Sequence, residues 1–274
     1  MSKAQRFVSR LGFGVSGAHG TPLVRRTETI TLIEQAASLG VTVFDTAPAY
    51  GNGEAERRLG SALKRVDRDS LHVMTKAGLS SHGLAGRRRD FSPDAIEASV
   101  RASLMRLGLD GVDTLFLHGP DPAELTPDLF GRLEDLRRAG AFGALGVAGR
   151  GGELDAALAS GRFAAVIAPV HPFIDSDEAA RLRTASRRGL KVFAIETAGD
   201  SPVRRSAPRS VADLYKLARS LRSGPPGRGR TGAVEGLTAA FGRGWVDCAL
   251  MTTTRPEHLA QAVAIAKRLQ APCD

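Results

Sequence analysis

Val41-Thr42-Val43-Phe44-Asp45 is a short apolar run that ends in an acid, and runs of the same kind recur along the chain at Arg10–Gly14, Leu71–Lys76, Thr114–His118, Ala144–Ala148, Ala165–Val170, Lys191–Ile195 and Asp247–Thr252. Short runs rich in β-branched and aromatic residues, separated by longer amphipathic stretches, read as parallel strands joined by helices. Between the runs, Thr29–Leu39 gathers Ile30, Ile33 and Ala37 on one face. Ser92-Pro93 and Thr126-Pro127 each place a capping residue before a proline, and Gly108 and Gly140 stand where those helices should stop. Pro256–Leu269 reads as the last helix. Eight strand–helix units predict a closed (β/α)8 TIM barrel, which fills about 250 residues as one domain. The whole of residues 1–274 is therefore expected to be a single barrel domain. Two stretches, 78–90 and 223–232, break the rhythm and read as peripheral loops, because the strand–helix count continues across both.

Composition narrows the function. At 42% hydrophobic the chain can bury a full core, and 24% charged residues are too few for a disordered tail. No apolar run approaches the roughly 18 residues of a membrane span, and Met1 to Arg10 lacks a signal-peptide core, so no membrane partner and a cytoplasmic location are expected. Of the two cysteines, Cys248 lies in an apolar run and reads as a buried thiol, which favours a reducing compartment over a bridge to Cys273. The net charge of +9 comes almost wholly from arginine. It fits a solvated surface or the attraction of a phosphate-rich cofactor. With only 5% aromatic residues, platforms for stacking bases are scarce, so nucleic acid is not an expected partner.

In a barrel enzyme the site lies where the strands end. Val43-Phe44-Asp45 ends in an acid, Val73-Met74-Thr75-Lys76 in a lysine and Leu115-Phe116-Leu117-His118 in a histidine. A lone buried charge costs several kcal/mol, so apolar strands do not end this way by default. These strands are neighbours in a barrel, and Tyr50 follows Asp45 on the next loop. Tyrosines titrate near 10, and a neighbouring ammonium favours the phenolate. An aspartate can keep that lysine charged, and a histidine can orient a carbonyl oxygen. Asp45, Tyr50, Lys76 and His118 are thus the expected catalytic group, a general acid beside an electrophilic carbon. Taken singly, each residue has a structural reading as helix cap, surface lysine, core histidine or rim packing. Metal-dependent hydrolysis is disfavoured, since neither His-x-His nor His-Glu-x-x-His occurs.

The segment Phe44-Asp45-Thr46-Ala47-Pro48-Ala49-Tyr50-Gly51-Asn52-Gly53-Glu54-Ala55-Glu56, continuing to Leu59-Gly60, resembles the most recognisable motif of the aldo-keto reductase superfamily. Thr75-Lys76, Leu117-His118 and the run Arg101–Gly108 with Val112-Asp113 are similar to its following elements. The resemblance implies an NADP(H)-dependent oxidoreductase that moves hydride between nicotinamide and an aldehyde or ketone carbonyl. It makes Tyr50 the proton donor and Asp45, Lys76 and His118 its supports.

The second half departs from the family pattern. Ala148-Gly149 stands where Ser-Asn is usual, Ile167 to His171 where a glutamine is usual, and Ala194 to Gly199 where an aromatic is usual. Thr252-Thr253-Thr254-Arg255 lies between a strand end and a helix start, a good place for a phosphate. The expected cofactor-binding positions are Gly14, Val15, Asp45, Gly149, Gly199, Thr252, Thr253, Thr254 and Arg255, with Arg255 reading a 2′-phosphate. Arg87, Arg88 and Arg89 follow the lysine strand and read either as a solvated loop or as a site that attracts an anionic carbonyl substrate. The altered pocket also keeps open a barrel of this family with impaired cofactor binding or a regulatory role.

Overall fold

A computed structural model describes residues 8–81, 87–198 and 231–269. Eight parallel strands close into a barrel: β1 (Leu11–Gly14), β2 (Val43–Asp45), β3 (His72–Ala77), β6 (Val112–His118), β7 (Phe142–Ala148), β8 (Ala165–Pro169), β9 (Lys191–Ile195) and β10 (Cys248–Met251). The ring closes where β1 pairs with both β2 and β10, with Gly14 opposite Asp45 and Gly12 opposite Leu250. Helices α1 (Arg26–Ser38), α2 (Glu54–Leu63), α3 (Pro93–Leu107), α4 (Pro127–Arg138), α5 (Gly152–Ala159), α6 (Ser176–Arg187) and α7 (Ala233–Phe241) lie between strands, and α8 (Pro256–Arg268) follows the last. The TIM-barrel architecture expected from the strand count is the one observed.

The helix punctuation acts in two ways. Thr126 caps α4 by accepting from the Leu129 amide at 3.2 Å, and Gly108 closes α3 in the left-handed conformation. Ser92 precedes α3 but makes no side-chain cap; its hydroxyl donates to Asp90 Oδ1 at 2.7 Å, and Pro93 alone sets the start.

The stretch after β3, expected to be a plain loop, begins and ends in strand. β4 (Leu79–Ser81) and β5 (Arg87–Arg89) pair antiparallel, Leu79 opposite Arg89. An arginine run hides a strand from an apolar-alternation reading. Here Arg89 lies over the Phe91 ring, 5.1 Å from its centroid, and its stem is held as part of the hairpin. Most of the 223–232 stretch lies outside the described residues.

Strand alternation explains where the polar ends go. Val43, Met74, Phe116, Phe193, Cys248 and Leu250 point into the barrel, while Phe44, Val73, Leu115 and Leu117 join the layer between strands and helices. Gly146 makes room for Phe116, since a Cβ there would fall 2.3 Å from the ring. Two residues beyond Val43, Met74 and Phe116 on the same faces come Asp45, Lys76 and His118. The pleat that fills the barrel floor therefore turns all three polar side chains toward its C-terminal mouth.

Candidate active site

Asp45 and Lys76 are both buried, and Lys76 Nζ donates to Asp45 Oδ1 at 2.5 Å and to the Thr46 carbonyl at 3.0 Å. Burial works against the ammonium. The carboxylate of Asp45, and after it the Tyr50 phenol, outweigh that effect and hold the Lys76 pKa above its ordinary value. The ammonium lies 5.3 Å from the Tyr50 ring centroid, and the Tyr50 and His118 rings meet edge-on at 6.5 Å. The four residues expected from the sequence are thus gathered in one place.

Tyr50 is aimed by the loop that carries it. Gly51, Asn52 and Gly53 are all left-handed, with φ of 63°, 53° and 79°. A Cβ on Gly51 would sit 1.7 Å from the Gly20 carbonyl oxygen, so backbone touches backbone there. The turn is tied internally by Tyr50 N to Ala47 O and Gly53 N to Pro48 O, at 3.1 and 2.9 Å.

A support that sequence reasoning left without a role lies behind β3. Thr75 faces away from the barrel axis and donates to Glu56 Oε1 at 2.7 Å. Glu56 is fully buried and is paired with Arg106 Nε at 2.6 Å. Both residues occur in the quoted motifs; a carboxylate inside the mostly apolar face of α2 was the available signal.

A cavity of about 730 Å³ opens over Asp45, Tyr50, Lys76 and His118, and Gly149 and Arg89 line it. A second, of about 440 Å³, shares Ser16, Gly17, Asp45, Tyr50 and Glu196 with it and runs toward Gly14 and Thr252–Thr254. Among the expected cofactor positions, Gly14, Asp45, Gly149 and the three threonines line these walls. Val15 is fully buried and ties β1 to β2, its amide donating to the Asp45 carbonyl at 2.8 Å. Arg255 is the exposed N-cap of α8 and does not line either cavity. Gly199 lies outside the described residues.

The second cavity is walled by glycine and threonine residues at the ends of β1 and β10. Gly17 leaves open space at its wall. At Gly236 a Cβ would strike the Thr197 carbonyl at 2.3 Å, so α7 packs directly on that backbone. The first turn of α8 follows the threonines. The rim beside β7 and β9 carries an exposed ion pair. Arg150, after β7, bridges to Glu196, after β9, at 2.5 Å, and Glu196 is held with φ of 54°. Of the arginine run after β3, Arg88 pairs with Asp90 at 3.1 Å and Arg89 with Glu124 at 2.6 Å and with Asp121 at 2.9 Å, while the Arg87 side chain lies outside the described residues. Among the described residues no cluster of His, Cys, Asp or Glu fit to hold a metal ion occurs, and no helix is long and apolar enough to cross a membrane.

A buried Lys–Asp pair thus lies under a tyrosine and a histidine at the mouth of an eight-stranded barrel. The chain belongs to the aldo/keto reductase family, whose model matches residues 10–206. It is 33% identical to a D-threo-aldose 1-dehydrogenase of a Pseudomonas species, over half of this chain (50%) and 51% of the relative. It is also 33% identical to an NADH-specific methylglyoxal reductase of Escherichia coli, over 52% of this chain and 48% of that protein. The chain thus spans about half the length of these curated relatives. Among solved structures, the holo form of an aldo-keto reductase from Bacillus halodurans superposes with a TM-score of 0.76, covering 97% of this chain and 89% of that one, at 22% identity.

Proposed function

We propose that this chain transfers hydride between NADP(H) and a neutral carbonyl compound, with Tyr50 as proton donor. One observation carries the reading: Lys76 Nζ is held charged by Asp45 at 2.5 Å and lies against the Tyr50 ring. The bound nicotinamide supplies or accepts the hydride. The protein's own residues do the rest. Tyr50 donates its proton to the carbonyl oxygen, and the Lys76 ammonium stabilises the phenolate left behind. Asp45 keeps that ammonium protonated and fixed. His118, edge-on to Tyr50, orients the carbonyl oxygen toward the donated proton.

The substrate reading follows from charge. Lys76, Arg89 and Arg150 are cations lining the catalytic cavity, and each is paired with a carboxylate of this chain. An anionic substrate would compete with those carboxylates, which favours a neutral, hydrogen-bonding carbonyl compound over the anionic one expected from the arginine run. NADP(H) over NAD(H) rests on Arg255, which follows the threonines of the cleft at the start of α8. The relative named as NADH-specific makes this choice a matter for measurement. The buried Cys248 thiol accords with a reducing, cytoplasmic setting.

A second reading, a barrel that binds nicotinamide weakly or in a regulatory role, is favoured by Ala148-Gly149 standing where Ser-Asn is usual, with the Arg150–Glu196 ion pair beside it. Titration with NADPH, followed by nicotinamide fluorescence, and then NADPH consumption with neutral aldehydes test both. Binding with turnover supports the first reading, binding without turnover the second, and no binding overturns the cofactor assignment.

A further inference from the structure

His19 lies in the short 3-10 turn Gly17–Gly20 after β1 and is fully buried. Its Nε2 is 2.8 Å from the backbone carbonyl of Thr253, which is 234 residues away in sequence and lines the cleft. A carbonyl only accepts, so Nε2 carries the hydrogen. Nδ1 then needs a donor, and Thr29 Oγ1, also fully buried, is 3.1 Å away. The Thr29 oxygen is in turn reached by Arg58 Nη1 at 3.1 Å. The guanidinium can only donate, and a hydroxyl that accepts from it still has its own hydrogen to give to an Nδ1 that lacks one. The same guanidinium donates to the Val24 carbonyl at 2.8 Å and the Thr21 carbonyl at 3.1 Å, and its Nε pairs with Glu54 at 3.0 Å. Each hydrogen along Arg58–Thr29–His19–Thr253 therefore has one consistent direction.

The turn that carries His19 has a second contact. Gly20 lies against the Tyr50–Gly51 backbone so closely that a Cβ on Gly20 would fall 2.8 Å from the Gly51 nitrogen. One four-residue turn thus touches the loop of the proton donor at Gly20 and the threonine loop of the cleft at His19.

We propose that His19 is a positioning residue for cofactor binding: it holds the Thr252–Thr254 loop, through the Thr253 carbonyl, where that loop receives the adenosine-side phosphate of the dinucleotide, and the Arg58–Thr29 pair sets its tautomer. This rests on the reading of the cleft given above. Losing the imidazole frees the loop without touching the reacting atoms, so the effect falls on affinity and not on the chemical step. Thr29 is not among the lining residues of either cavity, yet its loss removes the hydrogen bond that fixes the ring at Nδ1, so the imidazole holds the Thr253 carbonyl less firmly.

The test uses the full chain and its His19→Ala, His19→Gln and Thr29→Val variants. Dissociation constants for NADPH and for 2′,5′-ADP, the adenosine half, are measured by calorimetry, and kcat is measured at saturating NADPH. His19→Ala and Thr29→Val should each weaken NADPH and 2′,5′-ADP by roughly fivefold to tenfold, the scale of one net hydrogen bond. In both variants kcat should stay within about twofold. His19→Gln, whose side-chain amide offers a replacement donor, should restore most of the affinity. Where His19→Ala fails to fold, the glutamine and Thr29→Val variants decide. Unchanged NADPH affinity in Thr29→Val, or a fall in kcat at unchanged affinity, would overturn the proposal while leaving the function intact. A wild-type chain that binds no NADPH overturns both.

Discussion

Replacing Asp45 by Asn isolates the electrostatic core of the site. The side chain keeps its size, but Lys76 loses the carboxylate 2.5 Å away and retains the Thr46 carbonyl and Tyr50. With the principal force raising its pKa gone, burial dominates and the direction reverses. Removing one partner of a buried pair costs about 3–5 kcal/mol. For a domain of this size each kcal/mol is worth roughly 2–4 °C, so the melting temperature should fall by on the order of 10 °C at neutral pH. The linkage sign follows from the wild-type direction. A lysine raised on folding stabilises fully below its unfolded pKa of about 10.4, and that contribution is lost as pH climbs through the higher folded value. Wild type should therefore hold its margin over Asp45→Asn at neutral pH and surrender it in the alkaline range as Lys76 loses its proton, and again on the acid side, where Asp45, whose pKa burial raises above the ordinary carboxylate value, takes one up. The alkaline limb of kcat/KM for carbonyl reduction should move to lower pH in the variant, because the ammonium that supports Tyr50 is lost earlier. Thermal unfolding by circular dichroism and a pH–rate profile measure both. A variant with wild-type melting temperature and an unmoved alkaline limb would refute the claim that Asp45 maintains Lys76 as a cation.

Three further outcomes are expected. Tyr50→Phe should lower kcat by about 10²–10⁴-fold with NADPH affinity and melting temperature nearly unchanged, since only the proton donor is lost; stopped-flow and binding titrations check this. Arg255→Ala should weaken NADPH more than NADH in parallel titrations, whereas equal losses would remove Arg255 from 2′-phosphate recognition. Gly51→Ala places a methyl 1.7 Å from the Gly20 carbonyl at a φ of 63°, and should destabilise by at least about 1–3 kcal/mol in chemical denaturation while lowering kcat through displacement of Tyr50.

Much of the site is legible in the chain because neighbouring residues encode it. Pleated strands repeat every two residues, so Val43 and Asp45, Met74 and Lys76, and Phe116 and His118 share their faces whatever the rest of the fold does. Adjacent strands in chain order then bring the three ends together, and the glycines after Tyr50 state the left-handed turn that aims it. The arginines show the limit of such reading. Their number, and their place after β3, are sequence facts, but Arg89 meets Glu124 and Asp121 only because α3 and β6 return the chain to the same rim. Arg150 and Glu196 lie 46 residues apart, and His19 and Thr253 lie 234 apart. No local periodicity links such partners. Barrel closure, which sets β1 beside β10, makes the last pair neighbours, and with it decides which polar groups face the ligand and which are already satisfied by the protein itself.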